Sequence, residues 1–321
     1  MGYGIGSFAA ISFQSIYGTS NVTSLDYFPI ISESLTDEIE DLVQEGLMGR
    51  FEEGASYQGM NSVKGDLAME VHPLLVGKLL KAWCGQASAT LVGSVYTHSF
   101  VPRQSDWGIM AAVPPMTIEI YRTVDVGSSF LYYDLCCDGL TLEVANGAFY
   151  KATMGIVGGK FQKINKSTPV YKTGKLFTWD QTSITLGGTA VDEYSRMTLK
   201  GSNSLVAKAT LDGTRFANRV KRNGYRSMEV SGVLLYDDQV EFDKFVARTQ
   251  QRAIINARGD SITTSQNNAL KVDVPQLLYT AFPINVGGPG LIEANFTGKA
   301  KFDETSSYMV EFTLTNTQAA Y

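Results

Sequence analysis

Cysteine and histidine are scarce in this chain, and their scarcity removes several functions at once. Three cysteines are an odd count. Cys136 and Cys137 are adjacent in a strand-like run and point to opposite faces, while Cys84 follows a helix-like stretch. A disulfide framework is therefore not expected, and synthesis in a reducing compartment is the simpler reading. The two histidines, His72 and His98, are separated by a helix-like segment and supply neither a metal set nor a histidine-based nucleophile. His98 lies in a threonine- and serine-rich run and reads as a surface or interface residue. No catalytic residue, metal or cofactor is expected. An excess of positive charge is also missing: 27 Lys and Arg stand against 32 Asp and Glu, a net charge of −5 that leaves no basic footprint for gripping nucleic acid. No apolar run approaches the roughly 18 residues of a membrane span. Met1 to Ala10 carries no lysine or arginine before its apolar stretch, so it makes a poor signal peptide. The expected product is soluble, is made in the cytoplasm and has no membrane span.

What the chain does contain is β-forming sequence, and it contains it twice. Glycine numbers 31, and threonine, valine and tyrosine are common, a composition that leans towards strands joined by turns. Val63 to Glu70 reads as a strand centred on Gly65, followed by a helix-like stretch from Leu74 to Trp83 in which Leu75, Leu79, Leu80 and Trp83 form one apolar stripe. Val230 to Tyr236 reads as a strand centred on Gly232, followed by a helix-like stretch from Asp237 to Arg248. A repeat of about half the chain length is two copies of one domain, not a solenoid period.

Around these anchors, residues 26–31, 96–101, 117–121, 130–144 and 149–157 read as strands of the first half. Residues 183–186, 196–199, 253–257, 269–274, 291–297 and 308–315 read as strands of the second. In each half a long polar loop precedes the glycine-centred strand, from Glu33 to Gly59 and from Gly201 to Tyr225. Lys163 to Gly174 is the best linker. The expected domains are 1–165 and 166–321, with the boundary within about 158–180.

Three runs of the second half, Ser183 to Val191, Met228 to Asp238 and Asn285 to Ile292, together resemble the tail tube (major tail) proteins of tailed bacteriophages. Phe28 to Leu35, Ser62 to Leu67 and Tyr96 to Pro102 agree in the first half, so the resemblance covers nearly the whole chain. It implies a mainly β protein of two tandem tail-tube-type β-sandwich or barrel domains, each with one flanking α-helix and a long loop. It further implies a structural virion protein, not an enzyme. Rings of six such domains would stack into a hollow tube through which DNA passes, enclosing the tape-measure protein before ejection. Two fused domains make a homotrimer with pseudo-sixfold symmetry the expected ring. Tail terminator and distal tail proteins are further expected partners, with assembly in the host cytoplasm and a final place in the phage tail.

The two long loops carry opposite charge. Glu33 to Glu53 holds eight carboxylates, including Glu38, Glu40, Asp41, Glu45, Glu52 and Glu53, against Arg50 alone. Lys208 to Arg226 holds Lys208, Arg215, Arg219, Lys221, Arg222 and Arg226 against Asp212 alone. These residues are the candidate inter-subunit or inter-ring contacts, a pairing that would set register and orientation more than affinity. Phe216 and Tyr225 lie among the cations, as at some nucleic-acid sites, but the acidic total favours protein contact and only transient passage of DNA. An acidic lumen would keep phosphates moving.

Other motifs reduce to structure. Gly155 to Phe161 lacks the hydroxyl residue of a phosphate loop, and Arg258-Gly259-Asp260 reads as a turn after a strand. Gly287-Gly288-Pro289-Gly290 fits a type II turn. The alternative function is a β-rich carbohydrate-binding or adhesin module, with Trp107, Tyr121 and Trp179 as exposed stacking platforms.

Overall fold

The computed structural model describes residues 3–46, 49, 51–124, 126–286 and 288–321. Strands dominate it. The first half runs β1 (Phe8–Phe13), β2 (Asp26–Phe28), β3 (Ser32–Glu33), β4 (Thr36–Val43), β5 (Ser56–Glu70), helix α1 (Val76–Cys84), β6 (Ser88–Val92), β7 (Val95–Phe100), β8 (Met116–Tyr121), β9 (Ser128–Ala145) and β10 (Lys151–Asn165). The second runs β11 (Thr182–Leu186), β12 (Thr189–Val191), β13 (Tyr194–Ser202), β14 (Leu205–Lys208), β15 (Arg219–Arg222), β16 (Ser227–Leu235), helix α2 (Val240–Val246), β17 (Gln250–Ser261), β18 (Asn267–Ala281), β19 (Ile284–Asn285), β20 (Glu293–Lys301) and β21 (Glu311–Asn316). Both glycine-centred strands and the helix after each are where the sequence places them.

Pairing follows one order in each half. β4 pairs with β5, β5 with β10, β10 with β9, β9 with β8, and β8 with β1. Correspondingly, β13 pairs with β16, β16 with β20, β20 with β18, β18 with β17, and β17 with β11. Two junctions then join the halves: β13 lies antiparallel to the end of β9, and β21 lies antiparallel to β7. The result is an unbroken antiparallel sheet running β4–β5–β10–β9–β13–β16–β20, whose inward side chains from both halves share one apolar core.

α1 forms because Val76, Leu79, Leu80 and Trp83 fall on one face, and all four are buried. It stops at Gly85, whose left-handed φ of +84° lets its N–H bond the Lys81 carbonyl at 2.8 Å. Trp83 closes the first junction. Its ring occupies the space that a side chain at position 201 of β13 would fill, so only glycine fits there. Asn203 donates from Nδ2 to the carbonyls of Trp83 and Cys137, 3.0 Å each, tying the helix end to the junction.

Several elements depart from the sequence-based expectation. β1 is an additional strand; its Phe-Ala-Ala-Ile-Ser-Phe run is short, almost wholly buried and without alternation. β6 is exposed along its length and gains its partner, β7, only through the fold. The two long loops contain ladders. Residues 36–43 form β4 against β5, and β14 pairs with β15 as a separate two-stranded flap. Arg258-Gly259-Asp260 lies within β17, where Phe177 packs 3.2 Å from where a Cβ on Gly259 would stand, so packing and not a turn accounts for that glycine. His98 is buried, not superficial: its Nε2 lies 2.8 Å from the Gln318 carbonyl, with the Tyr321 ring edge-on at 4.9 Å. The cysteines behave as expected. All three are free and buried, with Cys137 in the main core and Cys136 in a smaller one beneath the flap. Burial pushes the Cys136 thiol up to about 12 and raises that of Cys137 well above its ordinary value, so neither is a reactive thiolate. Residues 166–174 are largely exposed and tethered at two points: Ser167 N and Oγ bond the Glu119 carboxylate, and Tyr171 forms an isolated bridge with Tyr27. Arg50 and Gly287, the latter opening the expected type II turn, lie outside the described residues.

Candidate assembly surfaces

The long sheet has two unlike faces. On the helix-covered face, Leu67, Met69, Met154, Leu140, Leu142, Met197, Leu199, Val230 and Phe296 are buried. On the other, the alternate positions are Asp66, Glu70, Lys151, Glu143, Arg196, Lys200, Glu229 and Lys299, exposed or half-buried. This is the period-two consequence of strands with one face on a core. The polar face mixes both signs. Arg196 and Glu143 pair across the junction at 2.6 Å, and Lys64 pairs with Glu38 at 2.6 Å.

The sheet ends in two edges. β4 is bonded to β5 on one side, and among the described residues no strand pairs with its other side. At the opposite end, β19 is bonded to β20 and likewise has no partner on its outer side among those residues.

The acidic candidates sit on the β4–β5 arm. Glu38, Glu40 and Asp41 lie on exposed β4; Asp41 accepts the Ser56 hydroxyl at 2.7 Å, and Glu40 accepts the Met60 N–H at 3.4 Å. Glu45, Glu52 and Glu53 stand exposed around the tip. The basic candidates divide. Lys208 and Arg215 are exposed, and Arg215 Nη1 bonds Gln58 Oε1 at 2.7 Å. Arg219 is half-buried, with an Nε that has no partner among the described residues. Lys221 and Arg222 converge on Asp106 of their own chain at 2.9 and 3.6 Å. Arg226 turns inward, donating to Asn203 Oδ1 at 2.7 Å and the Arg103 carbonyl at 3.2 Å while lying over the Trp83 ring. Burial, with Arg222 alongside, brings its pKa down to about 10.

The basic stretch meets β5, the strand beside the acidic β4, within one chain, through backbone bonds as well as the Arg215–Gln58 bond. Asn61 of β5 donates to the Arg215 carbonyl at 2.7 Å, and its own carbonyl accepts the Ala217 N–H at 2.9 Å. Among the described residues no ion pair joins the two stretches. Sequence spacing could not show this, because the flap folds over β10 and is held there by the core of Ala111, Val113, Cys136, Val157 and Val220.

The aromatic platforms fare unevenly. Trp179 is exposed, but Trp107 is half-buried against the flap core and Tyr121 is buried against Phe8, ring centroids 5.5 Å apart, with Lys166 above it. Tyr121 faces inward because it ends a strand buried on both sides, so it offers no open face to a sugar. No three His, Cys, Asp or Glu side chains cluster as metal ligands, and no helix is long and apolar enough to cross a membrane, among the described residues.

The family model described as "Phage tail tube protein" matches residues 4–300. No curated protein matches the chain.

Proposed function

The chain belongs to the phage tail tube protein family, a structural and non-enzymatic part of the virion tail, and on that premise we propose that three copies close into a ring of six tube domains. Residues 1–165 and 166–321 are the two domains of this reading, and the recurrent pairing order supports it. Rings stack into a hollow tube that encloses the tape-measure protein and later passes DNA. Tail terminator and distal tail proteins meet the tube at its ends, and assembly takes place in the host cytoplasm.

The observation that carries the proposal is the unbroken sheet from β4 to β20. A sheet with one face on a core, the other polar and end strands, β4 and β19, that lack an outer partner among the described residues is a hazard for a monomer, because open edges template aggregation. Closing a rotation around an axis removes those edges and stops growth. The core and helices would then face outward and the polar face inward. Mixed charges on that face give passing phosphates no continuous basic track to adhere to. The stacking contacts fall to the charged arm and flap, including Glu45, Glu52, Glu53, Lys208 and Arg215, which are exposed. Arg226 serves instead to hold the flap root to the helix end.

Negative-stain microscopy of concentrated purified protein tests this reading. Stacked annuli or tubes are expected; discrete particles that bind glycans would favour the adhesin alternative, for which Trp179 is the one open aromatic platform of the three.

A further inference from the structure

We infer that the ring is sealed by a strand pairing whose register is already written inside the chain: the outer edge of β4, at Asp37–Ile39, lies antiparallel to Ile284–Val286 of a second copy, as β13 lies against β9 within one. This rests on the ring reading above and supplies its seam.

The register follows from the two glycines. Gly65 of β5 lies beside Leu35 and opposite Ile156, and Gly232 of β16 lies opposite Met197 and Phe296. Leu35 therefore corresponds to Met197, and Ile156 to Phe296. Two residues back along β10 and β20, Met154 faces Leu140 and Ala294 faces Ile284, so Leu140 corresponds to Ile284. Inside the chain, Leu140, Thr141 and Leu142 lie opposite Gly201, Lys200 and Leu199. Transferred to the free edges, Ile284 lies opposite Ile39, Asn285 opposite Glu38, and Val286 opposite Asp37.

Three features of the free edges fit a missing strand of this chain. First, the core-facing apolar side chains there are uncovered: Ile39 is 56% and Val286 72% exposed, whereas their internal counterparts Gly201 and Leu142 are buried. Second, the helix above is less covered as well. Trp83, next to last in α1, is fully buried over the internal junction, while Phe245, next to last in α2, is half-buried, stacked 6.2 Å from Phe282, which lies two residues before Ile284. A neighbour's Ile39 brought to this edge would cover Val286 and lie beside the strand end that Phe282 and Phe245 lead into. Third, the edge keeps its donors. The Pro283 carbonyl accepts the Asn295 N–H at 3.2 Å, so the missing proline N–H belongs to the β20 side, and Ile284 and Val286 present their amides outward. Asp37, in the place of Leu199, is the one charged residue on the core-facing side of the seam.

Asn285 and Glu38 form a non-hydrogen-bonded pair in this register, with Cα atoms about 4.5 Å apart, within reach of a disulfide. The test uses full-length Glu38→Cys/Asn285→Cys protein assembled into tubes, oxidised mildly and run under denaturing, non-reducing conditions; the native cysteines are buried. Most chains are expected in covalent dimers and trimers. The control Glu38→Cys/Val286→Cys, whose side chains leave opposite faces, is expected to stay monomeric. Intact tubes whose E38C/N285C chains stay monomeric would overturn the seam and leave the tube reading standing. Amide hydrogen exchange on wild-type protein tests the same pairing without substitution. Ile284 and Val286 should slow by at least about tenfold between monomer and tube, and unchanged exchange in tubes would overturn the register. Failure of wild-type protein to polymerise under any condition overturns both this seam and the ring.

Discussion

Gly65 and Gly232 face the same obstacle in the two halves of the chain. A Cβ on Gly232 would stand 2.6 Å from the Arg196 carbonyl oxygen of β13, and a Cβ on Gly65 would collide with the Ser34 carbonyl just before β4. Both glycines let the strand on their outer side approach closely, and that strand forms the β9 junction in one half and the free edge in the other.

Alanine at either position should therefore be destabilising, and unequally. Gly65 also has φ +149°, a conformation that side chains rarely adopt. Gly65→Ala is expected to cost about 2–4 kcal/mol through overpacking and backbone strain together, and Gly232→Ala about 1–3 kcal/mol through overpacking alone. Urea denaturation of the unassembled protein measures both; equal or negligible losses would contradict the close approach.

Trp83→Ala removes the side chain that spans both halves, touching Gly201 and packing edge-on to Phe312 at 6.2 Å. A loss of about 3–5 kcal/mol is expected. The melting of second-half signals, followed by exchange at β13, should fall with it. A change confined to the first half would show that the junction does not couple the two.

This junction marks the limit of what is readable in the sequence. The glycine-centred strands, the α1 stripe of Leu75, Leu79, Leu80 and Trp83, and the opposite orientations of Cys136 and Cys137 all follow from local periodicity. β1 does not, because a strand buried on both faces has no alternation to see. β6 and the β14–β15 flap depend on partners distant in the chain, and the inward turn of Arg226 depends on where Trp83 and Asn203 come to lie. Charge counts locate the arm and the flap but cannot show that Lys221 and Arg222 are already taken by Asp106.

Acid should loosen the second half through Asp273. Burial raises the pKa of this carboxyl, but the bond from Arg252 Nε at 2.8 Å, a second from its Nη2 and the Lys271 ammonium at 3.4 Å outweigh it, so the net shift is downward. A depressed carboxylate contributes stability that is present above its unfolded value of about 3.9 and is lost as pH falls through the folded one. Asp273→Asn should cost about 1–3 kcal/mol at neutral pH, as for a hydrogen bond to a charged group. The difference from wild type should shrink below about pH 4. A difference that stays constant with pH would show that the pair contributes no linkage.

Charge reversal separates stacking from folding. Lys208→Glu/Arg215→Glu alters exposed cations on the flap and should leave the melting temperature unchanged within about 2 °C. Each exposed pair is worth about 1 kcal/mol or less, so the critical concentration for tube growth should rise a few-fold, and less so at high salt. Reversal at Lys221 and Arg222 should instead destabilise the flap, because their Asp106 contacts are intrachain. Unchanged tube yield from the Lys208/Arg215 variant would remove the flap from the stacking contact.

If one chain fills two places in a closed ring, a cryo-electron microscopy reconstruction of polymerised protein, with no symmetry imposed, should show it. Stacked annuli of three chains are expected, with six similar lobes, one continuous inner barrel, and β4 of each copy beside Ile284–Val286 of the next. Six chains in a ring, or annuli whose inner sheets are separated by gaps, would refute the closed three-chain ring.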